Sequence, residues 1–280
     1  MLGLLIEGLG AARVGALTVA DCDRFLKAAA GGLGDRQPVG RAHLRRVRQR
    51  LIGVLKNEIR LGHIGRNVAD VSQLPRIDAE PKPRRALTAD ELGRLLAVAK
   101  GARLVLVDLC GRNALRPAEA RALRWADIDL DVQELSVTGQ QTRGNERGKV
   151  KRAHNAARTI MLDERTIERL TAWQAQQERH RAAAGASWID LDLVASTTQG
   201  TAIDRHAFAR SMRLLCEHAG IEPAITPYEL RHTAMSLQAD AGRSAWEIAD
   251  WAGTSEAMIS GRYRHRLRRV ATLRPVDPNR

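Results

Sequence analysis

Aromatic side chains are scarce: phenylalanine, tryptophan and tyrosine together make up 3% of the 280 residues, with only two tyrosines. A protein that grips single-stranded nucleic acid by stacking bases on rings needs more platforms than this, so a single-strand RNA-binding factor fits poorly. Cysteine is nearly as sparse. Cys22, Cys110 and Cys216 are odd in number and far apart, which excludes a disulfide framework and a CxxC metal knuckle and leaves reduced, mostly buried thiols of a cytosolic chain. Acidic residues are in deficit, 32 against 45 lysines and arginines, for a formal charge of +13 and a sequence pI near 10.8. Such an excess calls for a polyanionic partner, and nucleic acid is the first choice. The apolar N-terminal stretch MLGLLIEGLGAARVGALTV lacks a basic start and carries Glu7 inside it, so it reads as the edge of a helical domain rather than a signal peptide or membrane span. No membrane partner is expected, and no internal repeat is visible.

What is present is mostly helical periodicity. Over residues 17–74 the apolar spacing is that of helices; Thr18 and Asp21 are suited to capping the segment VADCDRFLKAAA, and HLRRVRQRLIGVLKNEIRLG continues the pattern. Arg45, Arg46, Arg48 and Arg50 cluster in this second segment, either as a solvated face or as a stripe facing phosphates. The stretch LPRIDAEPKPRR gathers proline and charge without apolar periodicity, the composition of a connector. The expected organisation is a helical domain at 1–75, a linker at 76–86 and a second domain at 87–280. In the second domain Thr88 and Glu91 form a T-x-x-E capping box, an apolar helix follows from Ala102 to Cys110, and Pro117 stands where another begins. Short β-branched alternations at 127–139 and 157–162 flank the Gly- and Arg-rich turn TRGNERGKVKRAHN, which predicts a small sheet with a basic hairpin. Helices are expected after Asp163, at Asp204, and at Thr226 with Pro227 in the first position. The fold class is therefore mainly α with a small antiparallel β-sheet.

Both tyrosines lie in the last quarter, Tyr228 in TPYELRHTA and Tyr263 in SGRYRHRLRR. A phenol is a poor nucleophile at neutral pH, and using one on a phosphate requires cations to stabilise both the phenolate and the attacked group. Arg262 and Arg264 flank Tyr263, but immediate neighbours on a helix point elsewhere, so the useful cations must come from other segments.

Three segments, ALRPAEARALRWADID, TPYELRHTAMSLQADAG and ADWAGTSEAMISGRYRH, resemble in order and spacing the successive conserved boxes of tyrosine recombinases of the phage-integrase family. LTVADCDRFL and VLKNEIRLGHIGRNVADVSQLP resemble that family's helical core-binding domain, so the likeness covers nearly the whole chain; its first helix and any arm-type domain are missing from the front, as in a truncated or late-started chain. The resemblance implies that Arg116 and Arg231 clamp the scissile phosphate, a task suited to the planar, permanently charged guanidinium. Taken singly, each would read as a surface ion-pair partner. Glu119 would support the site. A hairpin lysine would be the general acid, with Lys151 the better match and Lys149 the fallback. Tyr263 would be the nucleophile. His232 and Arg262, with Arg45, Arg46, Arg48 and Lys149, would contact DNA.

Two positions depart from the usual family pattern. Tyr228 stands where H-x-x-R has histidine, and a phenol can donate to phosphate but is a weak base. Thr254 stands where a histidine or tryptophan is usual; it can either hydrogen-bond phosphate or cap the helix carrying Tyr263. The implied reaction is metal- and ATP-independent, because arginines take the electrostatic part a metal would play, and the bond energy is kept in a 3′-phosphotyrosine. Asp127 and Asp129 in WADIDLD read as structural rather than as a metal pair. Neither cofactor nor metal is expected. The implied partners are double-stranded DNA, three further protomers in a homotetramer on DNA, and an accessory directionality factor; the location is cytoplasmic, on the nucleoid when DNA-bound. Rival readings are a DNA-binding remnant without cleavage activity and a type IB topoisomerase-like strand transferase.

Overall fold

The computed structural model describes residues 2–77, 85–142, 146–149, 157–263 and 266–267. Two compact units divide the chain, residues 1–82 and 83–280. Most of the described residues are helical, with two small antiparallel sheets. No described helix is long and apolar enough to cross a membrane.

The first unit packs helices α1 (Leu2–Leu9), α2 (Val19–Gly31) and α3 (Arg41–Arg60) around one core. Thr18 starts α2 through a reciprocal box: its hydroxyl accepts from the Asp21 backbone at 3.2 Å while the Asp21 carboxylate accepts from the Thr18 backbone at 3.0 Å. Along α3, Leu44, Val47, Leu51, Ile52 and Leu55 are buried at helical spacing against Phe25 and Leu26 of α2 and Leu4 and Leu5 of α1. Gly8 lets α1 come this close, since a Cβ there would stand 2.3 Å from the Phe25 ring.

The arginine run on α3 divides. Arg45 and Arg46 are exposed, whereas Arg48 turns inward and donates to the Ser72 carbonyl at 2.9 Å, the Ser72 hydroxyl at 3.1 Å and the Asp70 carbonyl at 2.8 Å. Arg48 thus holds the segment after α3 onto the helix, a duty the sequence did not suggest.

The second unit begins with α4 (Ala89–Val98), α5 (Gly101–Gly111) and the single turn α6 (Pro117–Ala120). Five short strands follow: β1 (Ile128–Asp129), β2 (Glu134–Val137), β3 (Gly139–Gln141), β4 (Arg147–Lys149) and β5 (Arg158–Met161). Then come α7 (Glu164–Ala184), α8 (Arg205–His218), α9 (Pro227–Asp240), α10 (Ala245–Ala252) and α11 (Glu256–Tyr263). The capping boxes at Thr88–Glu91 and Thr226–Glu229 and the caps at Asp163 and Asp204 all form as their residue types predict.

The sheet order is β1-β2-β5, with Leu135 opposite Ile160 on the core face, and β3 pairs with β4 as a separate ribbon. Asp127 accepts from Thr138 at 2.6 Å and pairs with Arg147 at 2.9 Å, while Asp129 accepts from the backbone of Asp131 and Val132. Both aspartates therefore have structural duties. Helix α5 is buried continuously from Val105 to Gly111, and α9 packs against it. Helix α9 is unusual in burying polar groups, Arg231, His232, Thr233 and Ser236, along with Leu230 and Met235. That brings the chemistry into the interior.

Candidate active site

Arg116 stands immediately before α6, where Pro117 fixes the first helical φ and Glu119 supplies the capping carboxylate. That carboxylate accepts from the Arg116 backbone at 2.9 Å and from its guanidinium at 2.7 Å. Arg231, only 1% exposed, projects from α9 and donates to the carbonyls of Ala114 and of Ala252, the latter at 2.6 Å. Arg158 on β5 donates to Trp251 O at 3.1 Å and pairs with Glu119 at 3.0 Å.

Three guanidiniums therefore rest on three successive carbonyls where α10 ends: Arg158 on Trp251, Arg231 on Ala252 and Arg116 on Gly253, the last at 2.7 Å. The last carbonyls of a helix have no intrahelical donors and carry its negative end, so they are natural seats for cations. Gly253 closes the helix in the left-handed region, φ +64°, and turns the chain toward α11.

The electrostatics follow from crowding three cations around one carboxylate. Burial, helped by the neighbouring Arg116, pulls the Arg231 guanidinium down to about 10, which leaves it cationic at neutral pH. For Glu119 burial alone would favour the neutral acid, but hydrogen bonding and charge from Arg158, with Arg116, outweigh it and hold the carboxyl below its ordinary range. The cluster keeps an excess of positive charge, as an anion site requires.

Tyr263 ends α11 and is 3% exposed, packed with Ala114, Met235, Ile248, Ala252 and Ile259. Two of these, Ala114 and Ala252, also present the carbonyls that hold Arg231, so the nucleophile candidate and the arginine site share a wall. Its hydroxyl lies 2.5 Å from His232 Nδ1, and His232 Nε2 lies 3.2 Å from Arg262 Nη1. Tyr228, 44% exposed in the first turn of α9, sets its ring against His232 edge-on at 5.3 Å.

Thr254 is half-buried, and its backbone N–H donates to Ala249 O at 2.9 Å. The cap of α11 is Ser255, whose hydroxyl accepts from Met258 N at 3.3 Å, so capping is not the duty of Thr254. Lys151 lies outside the described residues, and Lys149 is described only as backbone, paired with Gly139 in the β3–β4 ribbon.

One residue and one contact escaped sequence reasoning. Arg158 shares a strand face with buried Ile160, and a cation at an inward position must find a partner, a signal present in the alternation of RTIM. The contact of His232 with the Tyr263 hydroxyl has no local sequence signal, because it joins α9 to α11 across 31 positions. Among the described residues no group of acidic, histidine and cysteine side chains is arranged to hold a metal ion.

Comparison with known proteins now bears on these residues. Residues 85–269 match the phage integrase family. An integrase of Streptomyces ambofaciens is 31% identical over 95% of this chain and 69% of its own length, and an integrase/recombinase of Escherichia coli is 26% identical over 67% of this chain and 63% of its own. Among solved structures, the Tn1549 transposon integrase in complex with transposon right-end DNA superposes with a TM-score of 0.71 at 15% identity, over 94% of this chain and 85% of that one. A lambda integrase dimer bound to a core site gives 0.60 at 16% identity, over 98% and 72%. With the family match spanning the whole arginine and tyrosine constellation, the chain belongs to the phage integrase family of tyrosine recombinases.

Proposed function

We propose that this chain is a site-specific DNA recombinase that cuts and rejoins double-stranded DNA through a 3′-phosphotyrosine on Tyr263. The phenolic oxygen forms a bond to phosphorus in line with the departing 5′ oxygen, and the phenol's proton passes to water. As the P–O5′ bond breaks, Lys151 gives its proton to the 5′ oxygen. Arg116 and Arg231 hold the non-bridging oxygens and offset the charge that builds up in the transition state. Tyr228 and Thr254 are hydrogen-bond donors to the same phosphate. A 5′ hydroxyl from the partner duplex then reverses the step, so the phosphate bond energy is conserved without ATP or metal.

The observation that carries this reading is the row of three arginines on the carbonyls that end α10, directly before the helix that ends in Tyr263. Guanidiniums pre-ordered in this way lose little freedom on gripping a phosphate. DNA-bound integrases among the structural neighbours favour double-stranded DNA as the partner. On this reading the first unit is a core-binding domain applied to DNA by its exposed Arg45 and Arg46, four protomers assemble on DNA, a directionality factor biases the outcome, and the protein works in the cytoplasm on the nucleoid.

The test is incubation with nicked suicide duplexes, from which the cleaved end diffuses away, followed by a denaturing gel. Covalently shifted protein is expected for the wild type and not for Tyr263→Phe. Binding without an adduct in both would replace this reading with a DNA-binding protein that does not cleave, which the burial of Tyr263 would then explain.

A further inference from the structure

We propose that His232 is a further catalytic residue, donating its Nδ1 hydrogen to the Tyr263 oxygen, and that Arg262 is the positioning residue that fixes this tautomer. The inference rests on reading Tyr263 as the nucleophile, but its hydrogen-bond direction follows from contacts alone.

A guanidinium has donors and no acceptor, so the ring nitrogen facing Arg262 Nη1 at 3.2 Å must accept. That nitrogen is Nε2. A neutral imidazole has one accepting and one donating nitrogen, so with Nε2 accepting, the hydrogen resides on Nδ1. The 2.5 Å contact to Tyr263 therefore runs from the imidazole N–H to the phenolic oxygen. A doubly protonated ring would set an N–H against an N–H of Arg262, donor against donor, and would charge a ring that is only 3% exposed beside that guanidinium. The other tautomer would set two donors against each other at Nε2.

His232 is thus no base for the phenol's proton. It is a fixed dipole aimed at the atom where negative charge develops as Tyr263 becomes a nucleophile, the arrangement that lowers a barrier without reorganisation. Its ring is held on three sides, by Tyr263 and Arg262 of α11 and by the edge-on Tyr228 of its own helix. This gives a purpose to a histidine buried beside Arg231, and to an arginine that sequence reasoning assigned to DNA.

Two measurements on the full chain decide the matter. Ring ¹⁵N spectra of histidine-labelled protein, with His232 identified by its loss in His232→Asn, are expected to show the Nδ1–H tautomer at neutral pH; an Nε2–H or charged ring would overturn the proposal. In Arg262→Met the tautomer preference is expected to relax, and an unchanged ring would remove Arg262 from its positioning role. In the suicide-duplex assay His232→Asn, whose amide can donate from nearly the same place but cannot take up a proton, should form adduct within about tenfold of wild type. His232→Leu should be slower by roughly 10²-fold, the usual loss on deleting one such donor. Equal loss in Asn and Leu would contradict a donor role. Absence of adduct in the wild type as well would instead fail the nucleophile reading, with the spectra still judging the hydrogen bond.

Discussion

Glu119 shows how much of this site depends on single groups. Its carboxylate, 2% exposed as a residue, is shared by Arg116 and Arg158, so removing its charge takes away the counter-charge that both of these part-buried cations hold in common. Glu119→Gln should destabilise the second unit by about 3 kcal/mol, the order found when one partner of a buried ion pair is removed, measurable by urea unfolding. The pH dependence has a definite sign. A carboxyl held below its ordinary value in the folded state stabilises above the unfolded pKa of about 4.3, and that contribution is lost as pH falls through the lower folded value. Wild-type stability should therefore drop across this acid window, and Glu119→Gln should lack that part of the drop; parallel curves would refute the assignment.

At the scale of elements, the junction of α10 and α11 is where the candidate site is held together. Glycine is favoured at 253 for two separate reasons: its φ is +64°, and a Cβ would stand 2.8 Å from an Arg158 guanidinium nitrogen. Gly253→Ala should lower stability by about 1 kcal/mol from backbone strain alone. Because Gly253 O also seats Arg116, its adduct rate should fall further than unfolding explains, and a rate matching the folded fraction would contradict this seat.

How far such features could be read beforehand depended on their range. Helix starts were legible because they are settled by residues close together, as at Thr88 with Glu91 and at Thr226 with Pro227 in the first position. The strands β2 and β5 were legible from alternation, and Arg116, Arg231 and Tyr263 from the ordered boxes that surround them. The inward turn of Arg48, the row of carbonyls under three arginines and the His232 contact were not, because each joins segments from 21 to 137 positions apart. Thr254 and Ser255 sit side by side with similar hydroxyls, and only the start of α11 at Glu256 decides which one caps it.

Across the whole molecule, the formal charge of +13 exceeds that of the arginine site, and on the proposed function the rest would serve further phosphate contacts. DNA affinity should fall steeply with salt, with a log–log slope of about −0.9 per phosphate neutralised, and Tyr263→Phe should keep that slope because it removes no charge. A shallow slope in filter-binding or fluorescence titrations would argue against phosphate-led binding. The most direct measurement of what Tyr263 does is mass spectrometry of the trapped adduct after digestion with protease and nuclease. With only two tyrosines in the chain the outcome is unambiguous. A residual 3′-phosphonucleotide on the peptide containing Tyr263 is the expected result; the nucleotide on Tyr228, on another residue, or on none would contradict it.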